Sequence, residues 1–367
     1  MPNVSVLIKP ASSLCRLRCE YCFYREIARR RAVESYGLMS EEVLGQITEK
    51  TLAFADGFAE FSFQGGEPTL RGLDFFRRAM ELQRRYNRKN VAISNCLQTN
   101  GVELDEAWAE FLRENRFLVG ISLDGPEDVH DFFRRDAEGR GTHAKVMRAI
   151  GLLREYGVEF NVLFVVNSRN AREPERLYDY FRDNGLAYLQ PIPCLEPQGE
   201  TPGGRAYSLE NADYAAFLKG FFDRWYADLS AGREVSVRFF DNLVRAAMGL
   251  QPETCTMLGS CRCQYVFEAD GSVYPCDFYT TDEWRMGNIR TAGLAELYAS
   301  PAAERFAVTS LPVAEKCRRC RWYGLCRGGC RRDKAADTLL NRYCEAYCAF
   351  FEYAHERIRL LAERFSR

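Results

Sequence analysis

Between residue 4 and about residue 195 six short β-type runs alternate with longer stretches of helical periodicity. No other feature narrows the possible folds as much. The β-type runs are 4–8, 60–64, 91–98, 118–123, 159–166 and 187–192. Between them, apolar residues recur at helical spacing in 40–55, 72–86, 105–115, 143–156 and 173–184. Gly101, Gly157 and Gly185 punctuate the ends of these segments, as helix C-caps and turns require. Repeated β–α units predict an α/β fold with a parallel sheet, and six units suit a partial (β/α)6 barrel open on one side. In barrels of this type chemistry gathers at the C-terminal ends of the strands.

The loop after the first strand, at that end, carries Cys15-x3-Cys19-x2-Cys22. Cubane [4Fe–4S] clusters are normally held by four cysteines, so three thiolates on one tight loop leave one iron open. The alternatives are a zinc site or three buried cysteines. Zinc sites usually pair Cys-x2-Cys units or Cys with His, and neither His130 nor His143 lies near enough in sequence to complete such a knuckle.

A loop rich in proline and glycine follows the sixth strand (Pro191, Pro193, Pro197, Gly199, Pro202, Gly203, Gly204), and helical segments come next at 211–229 and 237–249. A second group of cysteines then begins at Cys255 and runs to a C-terminal helix near 345–365. We therefore expect two domains, 1–234 with the barrel and its following helix, and 235–367 with the cysteine-rich region. Cys255, Cys261 and Cys276 precede Cys317-x2-Cys320-x5-Cys326-x3-Cys330, and Cys344 and Cys348 end the series. Asp270-Gly271 marks a hairpin turn ahead of Cys276. In two-cluster ferredoxins the last cysteine of a short run ligates the other cluster. The same logic offers Cys317, Cys320, Cys326 and one late cysteine as one site, with Cys255, Cys261, Cys276 and Cys330 as the other. Two zinc sites are the alternative. Cys96, Cys194, Cys263 and one of the last pair are left over, and a small buried hydrophobe is the ordinary role for each.

The 367 residues carry 15 cysteines and a formal net charge of −1. That balance gives no electrostatic case for nucleic acid or an anionic membrane. No apolar h-region precedes Cys15, and no apolar run nears the ~18 residues of a membrane span. A soluble, cytoplasmic protein is expected, in whose reducing surroundings so many cysteines read as cluster or metal ligands.

The cysteine triad, Gly65-Gly66-Glu67-Pro68 and the late cysteine array together resemble the radical S-adenosylmethionine enzymes with a SPASM domain. More narrowly, the chain looks like the anaerobic sulfatase-maturating enzymes. That closer match rests on Ile8-Lys9-Pro10-Ala11-Ser12-Ser13, Cys22-Phe23-Tyr24, Phe63-Gln64-Gly65-Gly66-Glu67-Pro68-Thr69, Leu97-Gln98-Thr99-Asn100-Gly101, Ser122-Leu123-Asp124-Gly125-Pro126 and Tyr274-Pro275-Cys276-Asp277-Phe278-Tyr279. The last stretch is the most specific.

The resemblance implies S-adenosyl-L-methionine and three [4Fe–4S] clusters as cofactors. It implies oxidation of a Cys or Ser side chain in a sulfatase polypeptide to formylglycine without oxygen, through a 5′-deoxyadenosyl radical acting at Cβ. It makes Asp277 the acceptor of the thiol or hydroxyl proton. Tyr21, Gly66, Ser122, Arg134 and Leu195 match the positions that bind S-adenosylmethionine, with Gln64, Tyr24 and Glu67 also near the site. An Asn-x-Tyr-Cys setting, here Asn341-Arg342-Tyr343-Cys344, makes Cys344 the last ligand, and Cys348 is the second candidate. Flavodoxin or ferredoxin is the implied kind of electron donor. The competing readings are a SPASM enzyme that forms thioethers or epimerises residues in a ribosomal peptide, and a non-enzymatic iron–sulfur carrier. A carrier has no need of Gly65-Gly66-Glu67, Ser122 or an open iron.

Overall fold

A computed structural model describes residues 3–366. Among them ten strands follow one another: β1 (Val4–Ile8), β2 (Phe58–Phe63), β3 (Ala92–Thr99), β4 (Leu118–Ser122), β5 (Phe160–Val166), β6 (Tyr188–Pro193), β7 (Ser236–Val237), β8 (Tyr265–Phe267), β9 (Ser272–Tyr274) and β10 (Gly287–Asn288). The chain forms two compact units. One holds residues up to 122 with 134–160 and 262–308; the other holds 123–133, 161–261 and 309 onward.

In the first unit the strand order is β10-β9-β8-β1-β2-β3-β4. β1 through β4 are parallel neighbours, in registers such as Ile8↔Phe63 and Phe63↔Leu97. Parallel strands need a crossover between them, and helices Glu41–Phe54, Leu73–Tyr86 and Glu106–Glu114 occupy those connections. Ser40 and Asp105 cap two of them, their side chains accepting the Val43 and Trp108 backbone N–H groups. The core between sheet and helices is aromatic, with Phe63 against Phe76 and Phe117, and Phe76 edge-on to Trp108. Truncating a ring such as Phe63 would cost about 3–5 kcal/mol.

The free side of β1 is where a distant part of the sequence enters. β8 pairs with it in parallel, Val6 opposite Tyr265 and Ile8 opposite Phe267. β9 returns antiparallel through the Asp270-Gly271 turn. Gly271 has φ of +85° there, a conformation glycine adopts without a Cβ penalty, and Asp270 accepts the Ser272 N–H and Oγ–H.

The second unit carries β5, from its second residue, with β6 and β7 in parallel. An aromatic core of Phe164, Phe181, Phe217, Phe221 and Phe240 supports them. Phe240 stacks on Phe350 of the helix Cys344–Phe365. Asn211, at the start of helix Asn211–Ser230, donates to the Arg342 carbonyl and accepts from the Ala346 N–H, which fixes the first turn of the Cys344 helix.

The strands and long helices fall within two residues of the sequence reading. Helices Phe23–Ala28 and Glu127–Phe133 and the two-residue strands β7 and β10 were not foreseen. Each is too short to show a period.

Candidate active site

The cysteine triad sits on a loop folded back on itself. Ser12 N–H donates to the Lys9 carbonyl at 3.2 Å, Leu14 N–H to Ala11 at 2.9 Å, and Cys22 N–H to Cys19 at 3.3 Å. Gly66 lies under this loop with φ of +55°; a Cβ there would fall 2.3 Å from the Leu14 carbonyl oxygen and 2.9 Å from that of Ser12. Only glycine allows that approach. Glu67 N–H then bonds the Leu14 carbonyl at 2.8 Å.

The Glu67 carboxylate, 2 % exposed, is satisfied by donors of the protein itself. It accepts the Thr69 N–H and Oγ1–H, the Thr99 Oγ1–H at 2.7 Å and the Asn100 N–H at 2.8 Å, tying the end of β2 to the end of β3. Asn100 in turn aims Nδ2 at Cys15 Sγ, 3.7 Å away, and Leu17 N–H donates to the same sulfur at 3.3 Å. Burial, with the charges of Glu67 and Cys22 adding to it, pushes the Cys15 thiol up to about 11. Two N–H donors aimed at a half-buried sulfur form a setting for a metal-bound thiolate, so the residues fit a cluster whose loading releases protons.

Of the S-adenosylmethionine candidates, Tyr21 and Arg134 come together, the guanidinium 5.4 Å from the ring centre. Both are largely buried. Ser122 ends β4 and accepts from Gln98 Nε2 at 3.3 Å. Gly66 occupies the cradle described above. Leu195 belongs to the second unit, half-buried just after β6. His130 is buried there, its Nδ1 accepting the Asp124 N–H at 3.2 Å.

Asp277 is the centre of a polar cluster within the first unit. The pairing of β8 with β1 carries residues 268–277 across the end of β1, so Asp277 meets the helix after the triad and the segment after β2. Tyr24 Oη donates to Asp277 Oδ2 at 2.5 Å, and Gln64 Nε2 donates to both Oδ2 (3.3 Å) and Tyr24 Oη (2.8 Å). Asp277 Oδ1 is buried and has no hydrogen-bond donor. The Lys9 ammonium stands 3.7 Å from it, at ion-pair range. Burial raises the Asp277 carboxyl above the usual range, and Lys9 and Tyr24 pull it back only in part.

Lys9, 1 % exposed, is anchored by Glu268 at 2.9 Å, and Arg31 reaches the same carboxylate at 2.5 Å. Burial would raise Glu268, but Lys9 and Arg31 outweigh it and hold the carboxyl down to about 2. This network escaped the sequence reading. Its only signal is that Lys9 and Glu268 each follow one member of the paired residues Ile8 and Phe267, and that is visible only once the register is known.

The late cysteines divide between the units. Cys276 is in the first, extended and adjacent to Asp277, while Cys255, Cys261, Cys317, Cys320, Cys326, Cys330, Cys344 and Cys348 are in the second. Cys317, Cys320, Cys326, Cys344 and Cys348 line one pocket, closed by Trp322, Tyr347 and Phe351. Burial, then the charges of neighbouring thiols, raises Cys317, Cys326 and Cys348, with Cys344 contributing to all three. Cys255 is raised by burial and by Cys261, and Cys330 Sγ accepts the Arg332 N–H at 3.4 Å. A tetrahedral zinc with Zn–S of about 2.3 Å would hold its sulfurs about 3.8 Å apart. Among the described residues no three Cys, His, Asp or Glu side chains are grouped to hold a single ion. Five thiols around one pocket supply the all-sulfur donor set that an iron–sulfur cluster takes. Cys194 and Cys263 donate instead to the Tyr207 and Ala303 carbonyls at 3.2 Å each.

Comparison with known proteins agrees with this geometry. Residues 10–181 match the radical SAM superfamily, and residues 258–321 match an iron–sulfur cluster-binding domain, SPASM. The parallel α/β sheet with a three-cysteine loop after its first strand, followed by that domain, defines a radical S-adenosylmethionine enzyme that uses [4Fe–4S] clusters. A cysteine-type anaerobic sulfatase-maturating enzyme of Clostridium perfringens is 49 % identical over 98 % of both chains. One from Clostridium novyi is 43 % identical over 99 % of this chain and 98 % of its own. A serine-type enzyme of Bacteroides thetaiotaomicron is 33 % identical over 95 % of this chain and 88 % of its own. A solved structure, native anSMEcpe with bound AdoMet and Cp18Cys peptide, superposes with a TM-score of 0.95 at 48 % identity, covering 99 % of this chain and 100 % of that one. The chain belongs to the anaerobic sulfatase-maturating enzymes. Among the described residues no helix is long and apolar enough to cross a membrane.

Proposed function

We propose that this chain oxidises a cysteine in a sulfatase polypeptide to formylglycine without oxygen, and that Asp277 takes the target's Sγ–H proton. The observation that carries this reading is the asymmetry of the Asp277 carboxylate: Oδ2 is held by Tyr24 and Gln64, while buried Oδ1 has no donor. A base must lie within hydrogen-bond reach of its proton and titrate near the working pH. Burial moves Asp277 in that direction, and Lys9 beside Oδ1 keeps the anion accessible. Cysteine is favoured over serine as the target because the cysteine-type relatives are 49 % and 43 % identical and the serine-type one 33 %.

When bound, S-adenosylmethionine and the clusters supply the one-electron chemistry: removal of a hydrogen from the target Cβ and acceptance of the second electron. The chain's own residues do the rest. Cys15, Cys19 and Cys22 hold the first cluster. Gly66 would leave backbone room for the methionyl group, Ser122 and Arg134 would bind its carboxylate, and Tyr21 and Leu195 are the residues the resemblance assigns to the adenosine. Tyr24 and Gln64 keep Asp277 aimed. Loss of the Cβ hydrogen, the thiol proton and one further electron leaves a thioaldehyde, which water converts to the aldehyde with release of sulfide. Cys255, Cys261, Cys276 and Cys330 would be the ligands of one auxiliary cluster, and Cys317, Cys320, Cys326 and Cys344 those of the other. In this reading residues 1–234 house the radical chemistry and 235–367 the auxiliary clusters, with flavodoxin or ferredoxin as electron donor. The test is anaerobic incubation of reconstituted protein with S-adenosylmethionine, reductant and matched Cys- and Ser-type sulfatase peptides, read by mass spectrometry. Formylglycine from the Cys peptide is expected. A thioether or an epimerised residue in its place would refute the reading.

A further inference from the structure

Five cysteines line the pocket formed by Cys317, Cys320, Cys326, Cys344 and Cys348, whereas a cubane cluster takes four. The surplus thiol is not turned away. Cys344 and Cys348 lie four residues apart on helix Cys344–Phe365, and side chains at that spacing share one face. Cys348 lines the pocket with Cys344 and Cys320, and those two sulfurs add to burial in raising its thiol. Cys344 shares the lining of that pocket with Cys317 and Cys326. Two other spare thiols differ: buried Cys194 and half-buried Cys263 donate to backbone carbonyls. Trp322, Tyr347 and Phe351 complete an aromatic wall around the pocket, so few waters compete for those sulfurs.

We propose that Cys348 is not a ligand but an S–H donor to the sulfurs of Cys344 and Cys320, raising the reduction potential of the cluster they hold. The proposal rests on the reading that Cys317, Cys320, Cys326 and Cys344 are that cluster's ligands. A hydrogen bond to a ligating sulfur offsets negative charge, and that charge is greatest in the reduced state; such bonds are among the established determinants of cluster potential. A cluster poised higher is a better acceptor for the electron leaving the substrate.

The test uses full-length, anaerobically reconstituted protein with Cys348→Ala and Cys348→Ser, measuring iron content and an EPR-monitored redox titration. Both variants should keep wild-type iron. In Cys348→Ala one cluster should titrate lower, by about fivefold in its reduction equilibrium, or about 40 mV at 59 mV per decade. Cys348→Ser, which retains an O–H donor, should fall between. Loss of about a third of the iron in either variant would make Cys348 a ligand and overturn the proposal. Full iron with unmoved potentials would reduce the thiol to packing. If Cys348→Ala does not accumulate, Cys348→Ser decides by the same two readings. Stoichiometric zinc in the wild-type pocket is a separate result, and it would remove the ligand reading itself.

Discussion

Replacing Glu268 with glutamine should destabilise the first unit by about 3 kcal/mol. Glu268 is completely buried, and its charge is shared between Lys9 and Arg31. Its carboxyl is held at about 2 against an ordinary 4.5, and each unit of such a shift is worth about 1.4 kcal/mol. An independent guide, the cost of removing one partner from a buried ion pair, gives about 3–5 kcal/mol. Because the folded value is depressed, the stabilisation is fully present above about 4.5 and is lost only as pH falls through about 2. The difference between wild type and Glu268→Gln should therefore be flat from pH 6 to 8. The four buried charges of Lys9, Arg31, Glu268 and Asp277 sum to zero; the substitution leaves an uncompensated positive charge. Adding Lys9→Met restores neutrality and should recover part of the loss. The assay is anaerobic thermal unfolding of reconstituted protein, and for a unit of about 200 residues the midpoint should drop by about 6–12 °C. A midpoint within about 2 °C of wild type, or a double variant less stable than Glu268→Gln alone, would refute the reasoning.

Asp277→Asn should keep its clusters and bind S-adenosylmethionine, yet form formylglycine at least ~10² more slowly. Cleavage to 5′-deoxyadenosine should persist in part, and near-normal peptide oxidation would assign the proton to another group. Wild-type protein should approach twelve iron atoms per chain, as three clusters of four. Joint replacement of Cys15, Cys19 and Cys22 by Ala should remove about a third of that iron and all S-adenosylmethionine cleavage; retained cleavage would be incompatible with the triad's role. Cys344→Ala should lose iron and soluble yield, because a missing thiolate destabilises both a cluster and the fold tied to it. Wild-type iron in that variant would pass the ligand role to Cys348.

The parallel sheet was legible because β1 to β6 are linked by helices long enough to show a period, and because a buried strand shows as an apolar run. The triad was legible because its ligands lie within eight residues. Asp270-Gly271 announced its own turn. The Lys9, Arg31, Glu268 and Asp277 cluster was not legible, since Arg31 and Glu268 are 237 residues apart and nothing local marks a strand as the future neighbour of β1. Glu67 shows the opposite case. Its motif is local and legible, but the partners of its carboxylate, Thr69, Thr99 and Asn100, include two at the end of the next strand that only the fold brings near.

The late pairing of β8 with β1 also imposes a timetable. At about 5–20 residues per second, a ribosome needs roughly 12–50 s to travel the 237 positions separating Arg31 from Glu268. Throughout that interval Lys9 and Arg31 have no carboxylate to meet, so the nascent chain cannot bury either cation and β1 keeps one bare edge. The segment that closes the edge is the one that brings Asp277. The three-cysteine loop is thus translated early and meets the Asp277 segment only after that interval.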